Sequence, residues 1–119
     1  EGEAKNIMMG AFAGHYDVKQ VIVVDEDVDI HDPAQVEWAV ATRFQADRGL
    51  LVVTESQGSK LDPSTRDGVG AKMGVDATKP IAAPEMKFKK IRIPGEETVD
   101  LARDIDPGAL AAWTKRLQG

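Results

Sequence analysis

The sequence predicts an α/β fold: a small open, mainly parallel sheet with flanking helices, a long glycine-containing loop and a C-terminal helix. Three stretches carry that expectation. Val21, Ile22, Val23 and Val24 form an unbroken β-branched run, which suits a parallel strand buried on both faces better than a half-exposed strand that would alternate. Asp32 stands before Pro33, with Gln35 three positions after the Asp: an N-cap, a proline at the first helical position and an approximate capping box. Leu50 to Val53 supplies a second apolar run, so strand, helix and strand make a βαβ unit with a right-handed crossover and two parallel strands.

The elements follow in order. From Ala4 to Gly14, Ile7, Met8, Ala11 and Phe12 sit at helical spacing with Gly14 as C-cap, and the two methionines read as core filler. His15 and Tyr16 lie in the loop that follows. After the first strand comes an acidic turn with Asp25, Glu26, Asp27, Asp29 and Asp32, then a helix from Pro33 whose Val36, Ala39, Val40 and Phe44 share the face that packs on the sheet. A polar turn, Gln45 to Gly49, leads into the second strand. Periodicity then lapses from Glu55 to Pro80, and roughly 25 residues without regular structure in a compact domain mark either a functional or a disordered loop. Met86 to Ile93, MKFKKIRI, reads as an edge strand with a break near Lys89 or Lys90, guarded by its charges. Asp106 caps and Pro107 begins a last helix with Leu110, Trp113 and Leu117 as its stripe and Lys115 and Arg116 in its final turn.

Composition narrows the function classes. The chain has 119 residues and is 42% hydrophobic, enough for one core of ordinary size, so residues 1–119 are expected to form a single domain. A net charge of -5 with no clustered basic face argues against nucleic acid as a partner. With no cysteine there is no disulfide frame, thiolate metal site or thiol nucleophile, which fits a cytoplasmic protein. No apolar run approaches the roughly 20 residues that span a bilayer, so no membrane partner is expected. The chain begins at Glu1 rather than Met, as a domain of a longer polypeptide would.

Several motifs can be tested against their chemistry. A hand-type calcium loop starting at Asp25 would need Gly and Glu where Ile30 and Val36 stand and is excluded; the acids read first as solvated turn and cap residues near a positive helix end, with a looser magnesium site as the lesser alternative, and no metal ligand is assigned. GVGAKMG, with Gly68, Gly70 and Gly74, has Met73 where a dinucleotide fingerprint needs its third glycine, and Lys72 lacks the Ser or Thr of a phosphate loop. Those glycines read as positive-φ positions of a surface loop. VVDED and Lys79-Pro80 are similar to marks of response-regulator receivers, but Thr54, Glu55 and Ser56 follow the second strand where the phosphoacceptor Asp belongs.

A closer resemblance joins three separate motifs. VIVVDEDVDIHDPAQVEWAVATRFQADR, then SKLDPS, then GAKMGVDATKP resembles the C-terminal domain of the UbiD family of decarboxylases, from about Ala4 to Pro80 in consistent order and spacing. The resemblance implies a carboxy-lyase that reversibly decarboxylates aromatic or α,β-unsaturated acids with prenylated FMN, a divalent metal (Mn or Mg) and K. In that chemistry the modified flavin takes up the electrons left when carbon dioxide departs, while protein groups position the acid and move protons. The catalytic and metal residues of the family lie mainly in preceding domains, so no catalytic residue is assigned in this chain, and no cofactor is expected on it alone.

Two sites carry over from the resemblance. The loop with Lys60, Leu61, Asp62 and Pro63 corresponds to one that approaches the substrate pocket, where an apolar Leu61 would favour a planar hydrophobic ring and a small aromatic acid as substrate. Where some relatives place a basic residue near the cofactor phosphate this chain has Ala13, leaving His15 and Lys19 as the cofactor candidates. The resemblance also implies contacts to preceding domains of the same polypeptide and a homo-oligomer, dimer or hexamer, with Trp113 and Leu117 at the interface. The alternative from another class is a stand-alone α/β subunit-assembly module without catalysis.

Overall fold

A computed structural model describes residues 2–95, Thr98 and residues 106–117, with the side chains at 85–86, 109–110, 113–114 and 117 outside the description. The chain divides into two units, Glu1–Phe88 and Lys89–Gly119.

In the first unit, helix α1 (Glu3–Gly14) leads to strand β1 (Gln20–Val24), helix α2 (Pro33–Arg43), a short helix α3 (Ala46–Gly49), and strands β2 (Leu50–Gln57) and β3 (Val69–Ala77). The β-branched run does face two ways. Val21 and Val23 pack with Ala4, Met8 and Phe12 of α1, whereas Ile22 and Val24 pack with Ala39, Val75 and Ala77 on the α2 side. Ala4, Met8 and Phe12 recur every four residues, so one stripe of α1 meets the sheet, and Ile7 and Met9 stay exposed. The helix also ends one residue later than expected, with His15 in extended conformation as the cap and Gly14 still helical.

Helix α2 starts where its sequence says. Asp32 Oδ1 accepts from the Ala34 amide at 3.0 Å, and Pro33 opens the first turn. Gln35 completes a variant of the capping box: its amide nitrogen donates to Asp32 Oδ2 at 3.1 Å and its carbonyl accepts from the Asp29 amide at 3.4 Å. Val36, Ala39, Val40 and Phe44 all join the core, as their spacing predicts.

The pairing of strands differs from the expected βαβ unit. The sheet is mixed, in the order β1-β3-β2. β1 is parallel to β3, with Ile22 opposite Val75, and β2 is antiparallel to β3, with Val52 opposite Met73. The central strand is thus drawn from the stretch read as an irregular glycine loop. Gly74 explains both the misreading and the need for glycine, because a Cβ there would lie 2.4 Å from Met8 Sδ, where α1 presses on the strand. Of the three glycines, Gly68 has positive φ, at 82°, and Gly70 and Gly74 lie within the strand.

The edge strand expected over Met86–Ile93 is not formed. Glu85–Phe88 makes a 3₁₀ turn, and Ile91 and Ile93 of the second unit are exposed without strand pairing. Alternation was broken at Lys89, and a strand without a regular apolar face has nothing to dock. The second unit contains helix α4 (Pro107–Leu117), with Asp106 Oδ1 accepting from the Gly108 amide at 2.9 Å. Trp113 and Leu117 lie on this helix, and their side chains fall outside the described residues. Among the described residues no helix is long and apolar enough to cross a membrane.

Candidate functional site

Two sequence-predicted site elements meet at the end of the sheet where β1 and β3 begin. The segment between α1 and β1 carries Lys19, and the connection between β2 and β3 carries Lys60, Leu61, Asp62 and Pro63. Between them lies a cleft of about 150 Å³ lined by residues that include Tyr16, Lys19, Ser56, Asp62, Thr65 and Lys72.

The connection is cross-linked by its own polar groups. Asp62 Oδ1 accepts from the amide and the hydroxyl of Ser64, at 2.9 and 2.7 Å, which makes an Asx turn. Thr65 Oγ1 donates to the Asp62 carbonyl at 2.9 Å and accepts from the Gly68 amide at 3.2 Å. The Leu61 amide donates to Ser59 Oγ at 3.3 Å. Asp67 and Gly68, with φ of 53° and 82°, form the two-residue turn that sends the chain back as β3, closed by hydrogen bonds between Arg66 and Val69. Leu61 emerges from this framework 93% exposed.

Lys19 joins the two segments. Its ammonium donates to Asp62 Oδ2 and to Ser64 Oγ, both at 2.6 Å. The hydrogen bond from Lys19, with those from Ser64, holds the Asp62 carboxyl down at about 2. His15, the other cofactor candidate, stacks on Tyr16 with ring centroids 5.3 Å apart, and its Nδ1 accepts from the Asp17 amide at 3.3 Å. Lys72 was read only as a failed phosphate-loop lysine. It is 5% exposed, and its ammonium donates to the carbonyls of Tyr16 and of Val18, the latter at 2.7 Å. The Phe12 ring lies 5.8 Å away.

A second charged group stands at the opposite end, where β1 and β3 finish. Arg43 Nη1 donates to Asp25 Oδ2 at 2.9 Å and to Asp27 Oδ1 at 3.0 Å, and Nη2 donates to Asp27 Oδ2 at 2.8 Å. Lys79 adds its amide to Asp25 Oδ2 at 2.8 Å and its ammonium to Asp27 Oδ2 at 3.1 Å. Trp38 covers the guanidinium, 5.0 Å from Cζ to the ring centroid. The hydrogen bond from Arg43 is the largest cause that lowers the Asp27 carboxyl to about 2, with Lys79 contributing. Asp25 and Asp27 are therefore engaged by cations rather than simply solvated, which corrects the reading of the acidic turn.

Neither group fits a flavin or a metal. The cleft falls short of the roughly 300–1,000 Å³ of small-molecule sites, and Lys19 already engages two acceptors. Among the described residues no group of three or more His, Asp or Glu is placed to hold a metal ion. What the site can do is hold an ionised carboxylate and present Leu61.

The family model UbiD_C, 3-octaprenyl-4-hydroxybenzoate carboxy-lyase C-terminal domain, matches residues 1–77. Anhydromevalonate phosphate decarboxylase of Aeropyrum pernix is 57% identical over 95 residues, a match covering 80% of this chain and 22% of that protein. The UbiD-class enzyme HmfF from Pelotomaculum thermopropionicum in complex with FMN superposes with a TM-score of 0.77 at 50% identity, over 88% of this chain and 24% of that one. An evolved dimeric form of HmfF in complex with prFMN gives a TM-score of 0.64 at 39% identity, over 88% of this chain and 20% of that one. This chain thus spans less than a quarter of the length of each of these three proteins.

Proposed function

Because this chain belongs to the family of UbiD carboxy-lyase C-terminal domains, we propose that it is the C-terminal domain of a non-oxidative, reversible decarboxylase acting on an α,β-unsaturated or aromatic carboxylic acid. The observation that carries this reading is the 57% identity to anhydromevalonate phosphate decarboxylase over 95 residues. That relative makes anhydromevalonate phosphate the first substrate to try, ahead of the aromatic acids.

In this reading the domain contributes a wall rather than the chemistry. Lys60, Leu61, Asp62 and Pro63 form the pocket loop, and Leu61 lends an apolar surface to an acid held largely by the rest of the polypeptide. Its exposure on a cross-linked loop supports that role. Prenylated FMN, together with a divalent metal and K, would be held by the other domains. The domain alone is inactive. The enzyme is a cytoplasmic homo-oligomer in which Trp113 and Leu117 of α4 reach a neighbouring subunit.

The test is carbon dioxide release by the full-length protein loaded with prenylated FMN, offered anhydromevalonate phosphate and a panel of aromatic acids. Turnover of one acid, and none by residues 1–119 under the same conditions, is the expected result. A loaded full-length protein that releases carbon dioxide from none of them would overturn the reading.

A further inference from the structure

We propose that Lys19 is a positioning residue that clamps the Leu61 loop through Asp62 and so sets substrate selectivity, rather than a ligand of the cofactor phosphate. The role given to Leu61 rests on the proposed function; the clamp itself rests on geometry. Lys19 is anchored at its backbone, where its carbonyl accepts from the Met73 amide of the central strand at 2.9 Å. The segment just before it is pinned from below by the buried Lys72 ammonium, which takes the carbonyls of Tyr16 and Val18. From that support the Lys19 side chain reaches a residue 43 positions further along the chain.

There it closes a ring. Lys19 Nζ donates to Asp62 Oδ2 and to Ser64 Oγ, and the same Ser64 hydroxyl donates to Asp62 Oδ1 at 2.7 Å. An ammonium has three donors, so two engaged in the ring leave at most one for a phosphate. Leu61 precedes Asp62, and its amide is bound to Ser59 Oγ, so a fixed Asp62 fixes the direction from which Leu61 leaves the loop. A pocket wall displaced by about an ångström can cost as much as about a hundredfold in rate, which gives such a clamp its value.

The experiment uses the full-length enzyme loaded with prenylated FMN and the variants Lys19→Met, Asp62→Asn, both together, Lys19→Arg and Leu61→Ala. Amide exchange at Ser64, Thr65 and Gly68, flavin absorbance per protein, and kcat/KM for a bulky and a compact acid are measured. Lys19→Met and Asp62→Asn should each speed exchange by up to about fivefold, as the loss of an exposed ion pair allows, and the double variant no further. Lys19→Arg should restore the slow exchange. Selectivity between the two acids should shift by about tenfold in the sense produced by Leu61→Ala, with flavin content unchanged.

Unaltered loop exchange in both single variants would overturn the clamp. So would a Lys19→Met enzyme that loses flavin while its loop amides stay protected, because that identifies a phosphate ligand. If the amides speed up but Leu61→Ala leaves selectivity untouched, the clamp stands and the pocket reading of Leu61 falls.

Discussion

The two ends of the sheet carry the same chemistry, cations held by aspartates, and use it in opposite ways. At the end where β1 and β3 finish, the Arg43 side chain is 0% exposed and ties the end of α2 to Asp25 and Asp27 of the β1–α2 turn, which Lys79 joins to the residues after β3. At the end where they begin, the Lys19 side chain is 57% exposed and joins two loops whose backbones are ordered by other bonds. Burial decides the difference. Removing a sheltered guanidinium takes away three charged hydrogen bonds and the packing under Trp38, whereas an exposed ammonium is replaced by water at small cost. The first end should therefore govern stability, and the second geometry.

The largest expected effect follows from that contrast. Arg43→Met leaves Asp27 with the Lys79 ammonium and Asp25 with the Lys79 backbone amide. Breaking a fully buried pair costs about 3–5 kcal/mol, and with the Asp25 and Asp27 side chains 26% and 44% exposed this change should cost about 1–3 kcal/mol. Denaturant unfolding of this chain measures it, and a loss under about 1 kcal/mol would erase the distinction between the two ends. The pH dependence has a defined sign. Asp27 is lowered from 3.8 to about 2, so its contribution is complete above about pH 4 and disappears as pH falls through about 2. Arg43→Met should flatten the loss of stability over that window.

The next change tests whether the ends are mechanically separate. Gly74→Ala puts a Cβ against Met8 Sδ and should cost about 1–2 kcal/mol, modest because a methionine side chain can yield. The helix it pushes is α1, which leads into the segment that carries Lys19. Exchange near Ser64 should rise in this variant while amides around Asp25 and Lys79 stay protected. Equal changes at both ends would mean that the sheet transmits the strain as one body.

Much of this was legible in the sequence wherever the cause was local. The alternate faces of Val21 to Val24, the Asp32 cap and the apolar stripe of α2 each follow from neighbours within a few residues. β3 was hidden because its Gly70, Lys72 and Gly74 break every strand pattern, and each is there for a partner outside the strand: Thr65, the Tyr16 and Val18 carbonyls, and Met8. The one local sign that was passed over is Asp67-Gly68, the favoured pair of a two-residue hairpin turn. Lys19 and Asp62 were singled out separately, but nothing in a sequence joins residues 43 apart, and nothing local marks Arg43 as the partner of Asp25 and Asp27.

A smaller effect is expected at the cap that delivers Arg43 to its place. Asp32→Ala removes the acceptor for the Ala34 amide and the anchor for Gln35, and should cost about 1 kcal/mol. Thermal unfolding at neutral pH checks it. Because the helix beyond the first turn is held by Val36, Ala39 and Val40, the Arg43 bonds should survive, and amide exchange at Lys79 should stay slow.

The smallest stability change should come from Leu61, the side chain at the other end that we propose as a pocket wall. Leu61 is 93% exposed, so Leu61→Ala removes almost no burial, and the thermal midpoint of this chain should move by no more than about 0.5 kcal/mol equivalent. Its amide still reaches Ser59 Oγ and the Lys19–Asp62 bond is untouched, so the loop should keep its exchange pattern. A loss of 2 kcal/mol or more would mean that Leu61 packs against this chain in solution, and a side chain occupied in that way could not also face a substrate. Near-neutrality here, set beside the cost of Arg43→Met, is what the proposed pocket loop and a lock built for stability require.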